Sequence, residues 1–223
     1  MNTVNEFFAS IYKWMAAGVL VSALFCYLTL MTGFGAIVFS SAAIFYSLVA
    51  IHFVLLLVIQ FLINKLPYQL SFFLYFVYAA LSGVTISGLI GIYLQTDPAL
   101  LVGIFVAAVV MFASLAFVGY TTKYDMSGWR TFLFSAVWGV VIVSIINAIF
   151  IQSYGFDLIV SAIALVAFAA LTAYDAQFYR NLFPQLQTEE EKAKYATLGA
   201  LHMYVNLLVM FQSLLKLVGF FNR

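Results

Sequence analysis

Charged side chains are scarce in this chain of 223 residues. Only 8% of the residues are charged and 66% are hydrophobic, whereas soluble domains have roughly 25% charged and 45–50% apolar residues. No charged residue occurs between Trp14 and Asn64. A membrane-crossing helix needs about 20 apolar residues, so this stretch holds two spans and a turn. A soluble protein of this composition could not cover its surface with polar side chains, and we predict an integral membrane protein.

Cysteine, proline and net charge are also low, and each excludes a class of site or segment. Cys26 is the only cysteine, which excludes an intrachain disulfide and a cysteine-rich metal site. The net charge is +1, so nothing indicates nucleic-acid binding. Three prolines and the lack of a polar tail argue against disordered linkers. The first apolar segment follows Lys13 without a clear small-residue cleavage site, and we interpret it as a retained span.

Apolar runs separated by short polar turns predict an all-α membrane protein with seven spans, organised as one domain over residues 1–223. Most connections are short, so consecutive helices should be antiparallel neighbours. The only sizeable polar segment, residues 180–194, precedes the last span. The predicted spans cover residues 12–31, 43–64, 69–94, 99–120, 131–151, 157–178 and 195–219.

The basic residues near span ends predict the orientation. The side that carries the N-terminus collects Lys13, Lys65, Lys123, Arg130, Arg180, Lys192 and Lys194. The opposite side carries only Lys216 and Arg223. Because basic residues concentrate on the cytoplasmic side, we expect a cytoplasmic N-terminus and, with seven spans, a C-terminus outside.

Small residues in the third span predict close helix packing. Gly83, Ser87 and Gly91 recur every four residues, and small residues on one helix face let a neighbouring helix approach. The sixth span is rich in alanine, which suits a helix surrounded on several sides.

Few ionisable residues lie inside the predicted spans, and such residues are usually functional. Asp175 lies near the cytoplasmic end of the sixth span, and His202 lies about two turns into the seventh. We interpret His52, in the second span, as a hydrogen-bonded interior histidine. Lys216 can extend its ammonium group to the headgroups, so we assign it an anchoring role only.

Asp175 is the candidate for a proton-sensitive latch. Burial disfavours a charged carboxylate, whereas a nearby cation favours it. Lys65, which ends the second span on the same predicted side, and His202 are the candidate charged partners. The alternative is a permanent structural salt bridge.

The seventh span carries a polar stripe. His202 and Asn206 are one helical turn apart, and Gly199 and Ser213 lie on the same face. Such a stripe must face protein or water rather than lipid. It is consistent with two roles, interhelical hydrogen bonding and the lining of a polar path, and the sequence favours neither.

Enzyme motifs are missing, and we predict that the chain is not an enzyme. An aspartyl protease would need a second aspartate in a Gly-x-Gly-Asp setting, and a zinc protease would need the His-Glu-x-x-His motif; neither motif is present. Ser82 with His202 is a formal pair for an intramembrane serine protease. The nearest string to a Gly-x-Ser-Gly motif, residues 80–83, lacks its first glycine.

Several segments, in their order and spacing, resemble the Bax-inhibitor-motif membrane proteins (the TMBIM family), bacterial branch. They are Ala79-Ala-Leu-Ser-Gly-Val-Thr-Ile-Ser87, Thr122-Lys-Tyr-Asp-Met-Ser127, Asn147, Tyr174-Asp-Ala-Gln177, Ala200-Leu-His-Met-Tyr-Val-Asn206 and Ser213-Leu-Leu215. The resemblance implies a bacterial inner-membrane protein whose seventh helix is central and wrapped by two three-helix layers. It also implies a pH-sensitive calcium leak controlled by two aspartates, one in each of the last two helices.

This chain lacks one of the residues on which the family's mechanism depends. The first aspartate of the family matches Asp175, and the basic residue that pairs with it matches Lys65. The second aspartate is replaced by Asn206. Two carboxylates that share a proton titrate as a coupled pair, which an aspartate beside an asparagine cannot do. Ca²⁺ also prefers several oxygen ligands with negative charge, so a carboxylate and an amide should hold it less well.

Two functions therefore follow from the resemblance. The first is conduction or gating of a cation, with Ca²⁺ as a transient ligand and with no resident metal or cofactor. The second is a regulator that binds another membrane protein, such as a membrane-anchored ATP-dependent protease, and the replacement at Asn206 favours it somewhat. For both functions we expect the lipid bilayer to be a partner.

Overall fold

A computed structural model describes residues 1–63 and 65–221, and all regular structure within these ranges is helical. Seven of the helical segments described there are long and apolar enough to cross a membrane, which confirms the predicted number of spans. The α-helices are α1 (Val4–Met31), α2 (Phe34–Val38), α3 (Ala42–Leu62), α4 (Tyr68–Thr96), α5 (Pro98–Thr121), α6 (Arg130–Ile146), α7 (Tyr154–Leu182) and α8 (Glu189–Phe221). Helix α2 is a single short turn, so α7 and α8 are the sixth and seventh spans.

Local side-chain caps explain where two of these helices begin. The Thr3 hydroxyl accepts a hydrogen bond from the backbone N–H of Glu6 at 3.2 Å, which starts α1 at Val4, eight residues before the predicted span. Thr188 and Glu191 form a reciprocal capping box, because the Glu191 N–H donates to the Thr188 hydroxyl and the Thr188 N–H donates to the Glu191 carboxylate, both at 3.1 Å. As a result, most of the polar segment predicted as a connection is helical.

Asn147 caps the C-terminal end of the fifth span. Its amide nitrogen donates to the Ser153 carbonyl at 3.2 Å, and its amide oxygen accepts from the Ser153 N–H at 3.1 Å. Residues Asn147–Ile151 form one π-helical turn, and Gln152 adopts a left-handed conformation with φ 50°. This side chain therefore closes the turn between α6 and α7.

The chain divides into two compact units. Unit 1 contains Met1–Pro98 and Phe183–Tyr204. Unit 2 contains Ala99–Leu182 and the part of α8 from Val205 onward. The prediction that the seventh helix is wrapped by two three-helix layers stays a prediction, as does the single-domain organisation.

In unit 1, α1 and α4 pack at close range. A Cβ placed on Gly83 would lie 2.2 Å from the backbone oxygen of Ser22, and one on Gly91 would lie 3.0 Å from the Leu30 side chain. The Tyr75 hydroxyl donates to the Trp14 carbonyl at 2.9 Å. Ser87, the third small residue of this stripe, is buried and donates to the Val84 carbonyl of its own helix at 2.7 Å.

In unit 2, α5 and α7 meet through backbone. A Cβ on Gly119 would lie 2.0 Å from the carbonyl oxygen of Ala173, so only glycine permits this approach. The outward residues of α5 are large and apolar: Val102, Val106, Val110 and Phe117 are each more than half exposed. An apolar surface of this kind suits contact with lipid.

Candidate functional site

Asp175 lies inside unit 2, near the C-terminal end of α7. Only 4% of its surface is exposed. Its Oδ2 accepts a hydrogen bond from the Asn206 amide nitrogen of α8 at 2.8 Å, and Asn206 is 1% exposed. One turn away, the Thr172 hydroxyl contacts the Met210 sulfur at 3.7 Å. Near Asp175, α7 and α8 therefore contact each other through polar side chains and a methionine sulfur.

Asp175 and Asn206 form a polar pair with one ionisable group. The amide nitrogen donates to the carboxylate when Asp175 is charged, and the amide oxygen can accept when the acid is protonated. The pair is therefore compatible with either protonation state. Asn206 orients Asp175 without contributing a charge, and the pair cannot share a proton as two carboxylates do.

Two further residues of α7 hold the loop that precedes α6. The Gln177 amide donates to the Tyr124 carbonyl and accepts from the Met126 N–H, both at 2.7 Å. Arg180 donates to the carbonyl oxygens of Tyr120 and Thr122. The segment of α7 from Asp175 to Arg180 thus contacts α8 through its carboxylate and the loop through its amide and guanidinium groups.

Asp125 stabilises the turn of this loop. Its carboxylate accepts from the backbone N–H of Ser127 at 2.9 Å and from the Ser127 hydroxyl at 3.0 Å. These hydrogen bonds hold the pKa of Asp125 below its usual value, and the bond from the backbone N–H has the largest effect. Asp125 is therefore ionised at neutral pH.

The two histidines lie in unit 1 and have polar partners there. His202 Nε2 hydrogen-bonds to the side-chain oxygen of Gln60 on α3. His52 Nε2 lies 2.9 Å from the Ser82 hydroxyl, as expected for an interior hydrogen-bonded histidine, and its ring lies 4.2 Å from that of Tyr78. The protease hypothesis paired Ser82 with His202. In the structure, the histidine that lies beside the Ser82 hydroxyl is His52.

The other predicted site residues are distributed over both units. Lys65 is exposed just beyond the end of α3, in unit 1. Along α8, Gly199 and Ser213 are buried, and His202 is partly exposed. The roles of Lys65 and His202 as charged partners of Asp175 stay predictions, as does the polar path along α8.

Two polar contacts were missed by sequence reasoning. Lys216, predicted only to anchor in the headgroups, forms an ion pair with both carboxylate oxygens of Asp157, at 3.0 and 2.9 Å. In unit 1, the Ser22 hydroxyl lies 2.6 Å from that of Tyr204 and donates to the Ala79 carbonyl at 2.7 Å. Similar distances from the span ends could have suggested Lys216 with Asp157, but no sequence signal connects Ser22 with Tyr204.

The described residues contain no group of three or more His, Cys, Asp and Glu side chains that could hold a metal ion. The Asp175 pair brings together one carboxylate and one amide. That donor set is smaller than the six to eight oxygens of a tight Ca²⁺ site.

Comparison with known proteins identifies the family. A family model described as "Inhibitor of apoptosis-promoting Bax1" matches residues 4–223. An uncharacterized protein of Borreliella burgdorferi is 32% identical, covering 96% of this chain and 92% of its own. The inner membrane protein YbhL of Escherichia coli K12 is 31% identical, with 97% and 92% covered. An uncharacterized membrane protein of Streptococcus pyogenes serotype M3 is 33% identical, with 97% and 93% covered. On a match of this length, together with seven helices able to span a membrane, the chain belongs to the Bax inhibitor family of membrane proteins.

Proposed function

We propose that this protein conducts or gates a cation, with Ca²⁺ as the candidate, and that Asp175 is the latch. The observation that carries the proposal is the buried Asp175–Asn206 pair, with a donor distance of 2.8 Å. Ionisable groups buried in membrane helices are rare and mark ion or proton pathways. Family membership supports the same assignment, because the resemblance implies a cation leak controlled at this aspartate.

The test is ion flux into liposomes that contain the purified protein. Ca²⁺ entry is followed with an internal dye for the wild type and for Asp175→Asn, between about pH 5 and pH 8. Asparagine keeps the shape and hydrogen-bonding capacity of the side chain but cannot ionise. We expect the pH dependence of flux to disappear in this variant.

Asp125→Asn is the matched control. Asp125 lies in the same unit but is exposed, and asparagine can keep the turn at Ser127 because its side-chain oxygen also accepts hydrogen bonds. Its flux should follow the wild type at each pH. Equal flux for wild type and Asp175→Asn over the whole range would remove Asp175 from the mechanism.

A second candidate function is regulation of another membrane protein, such as a membrane-anchored ATP-dependent protease. The observation that favours it is the uncharged Asn206, which leaves one carboxylate where a gate of the family type would have two. In this case the Asp175 pair is a structural contact. Crosslinking and co-purification with the protease test it, and a protein that is recovered alone yet leaks ions in liposomes would contradict it.

A further inference from the structure

The loop between α5 and α6, together with the first turn of α6, carries exposed cations and exposed aromatic rings in unit 2. Lys123 and Arg130 are exposed. Tyr124 is 66%, Trp129 is 42% and Phe132 is 67% exposed. We refer to these five residues as the loop face. Its members fall at the start of a membrane span, where aromatic side chains prefer the boundary between headgroups and acyl chains.

The backbone under the loop face is held in place by α7. Gln177 makes two hydrogen bonds of 2.7 Å to the backbone of Tyr124 and Met126. Arg180 donates to the carbonyls of Tyr120 and Thr122, so its guanidinium group is engaged beneath the loop. Lys123 and Arg130 therefore flank a fixed segment rather than a freely moving one, which lowers the entropy lost when a ligand binds.

The charges of the loop face favour an anionic ligand. Lys123 and Arg130 outnumber Asp125, the one acidic residue of the loop, whose carboxylate accepts hydrogen bonds from Ser127 at 2.9 and 3.0 Å. The guanidinium carbon of Arg130 lies 6.0 Å from the centre of the Phe134 ring, which positions this cation beside an apolar surface. Cations next to exposed rings at a span end match a lipid that has an anionic headgroup and acyl chains.

We propose that the loop face binds an anionic phospholipid. Lys123 and Arg130 contact its phosphate, while Tyr124, Trp129 and Phe132 lie against the upper part of its acyl chains. This interaction is separate from the proposed cation flux, and it requires neither Asp175 nor Asn206.

Trp129 provides a direct readout. The chain has three tryptophans, so Trp14→Phe with Trp138→Phe leaves Trp129 as the only reporter. This protein is reconstituted in phosphatidylcholine vesicles that contain a minor fraction of lipid brominated near the headgroup end of the acyl chains. The brominated lipid is either phosphatidylglycerol or phosphatidylcholine at the same mole fraction. Bromine quenches tryptophan only at short range, so quenching reports which lipid occupies the loop face.

We expect brominated phosphatidylglycerol to quench Trp129 more strongly than brominated phosphatidylcholine. Lys123→Gln and Arg130→Gln should each lower this selectivity about fivefold, and the charge-retaining pair Lys123→Arg with Arg130→Lys should keep it. Lys13→Gln is the matched control, because it removes a basic residue from the predicted inner end of the first span, in unit 1, and should leave the selectivity unchanged. Native mass spectrometry of the three-tryptophan protein, comparing bound phosphatidylglycerol with phosphatidylcholine, checks the same preference without the tryptophan substitutions.

Three results would overturn the proposal. Equal quenching by the two lipids would show that the loop face does not distinguish them. Selectivity that survives the double substitution Lys123→Gln with Arg130→Gln would place the lipid site elsewhere. Native mass spectra that show bound glycerol phosphate but no preference for phosphatidylglycerol over phosphatidylcholine would show that the cations bind a free phosphate rather than a membrane lipid.

Discussion

Helices α7 and α8 are joined within unit 2 by two carboxylates that have different partners. Asp175 is buried and accepts from the neutral amide of Asn206. Asp157, at the other end of α7, forms an ion pair with Lys216, and both side chains are about one-third exposed, at 30% and 37%. Removing two opposite charges from water is expensive, and their attraction often fails to offset that loss. The full ion pair therefore lies at the exposed end, and the buried end has one ionisable group.

Among the substitutions at these contacts, Asn206→Leu is expected to lower the free energy of unfolding most. It leaves the buried Asp175 carboxyl group without the amide donor at nearly unchanged volume. Removing one hydrogen-bond donor from a buried polar group costs about 2 kcal/mol, so the free energy of unfolding in detergent should fall by that amount. The measurement is a denaturant titration of wild type and variant.

The double substitution Asp175→Leu with Asn206→Leu is its control. Replacing both partners by apolar groups of similar shape can be nearly neutral, so most of the lost stability should return. A double variant that is less stable than Asn206→Leu alone would show that Asp175 has a more important contact than Asn206.

A smaller loss of stability is expected when the ion pair at the exposed end, Lys216 with Asp157, is removed. Lys216→Met removes the ammonium group and keeps most of the apolar side chain. Partly exposed ion pairs contribute about 0.5 kcal/mol, and the loss should shrink as salt is added because exposed charges are screened. A loss as large as that of Asn206→Leu would contradict the contrast between the two ends.

The smallest effect is expected at Asp125, a fully exposed carboxylate of the same unit. Because its pKa is lowered by Ser127, its contribution to stability is present above the usual aspartate pKa of about 3.9. That contribution is lost as the pH falls through the lower folded-state value. The loop should therefore show the same pH dependence in wild type and in Asp125→Asn from neutral pH to about pH 5. The two proteins should differ only in stronger acid, where Asp125 becomes protonated. Backbone amide chemical shifts of the loop across a pH titration provide the measurement.

The spans could be predicted from the sequence because apolar length alone determines them. Their ends could not, since they depend on hydrogen bonds that hydropathy ignores. Thr3 extends α1 to Val4, and the Thr188–Glu191 capping box places charged residues inside α8. Both are local patterns, and a search for caps before apolar runs would have found them.

The candidate site was only partly predictable. Helical periodicity shows which residues share a face of one helix, so His202 and Asn206 were correctly placed one turn apart on α8. It does not show which helix faces them. The sequence therefore paired Ser82 with His202, whereas the Ser82 hydroxyl lies beside His52. Asp175 was singled out because a carboxylate in an apolar run is rare, and its contact with Asn206 was suggested by the family resemblance.

The central proposal is that a latch at Asp175 has one ionisable group, because Asn206 lies where the family resemblance implies a second carboxylate. The most direct test compares the pH profiles of Ca²⁺ flux for the wild type and Asn206→Asp in the same liposomes. We predict a wild-type profile that fits one ionisation and an Asn206→Asp profile that requires two coupled ionisations. A wild-type profile that already requires two, or an Asn206→Asp profile identical to the wild type, would contradict the account.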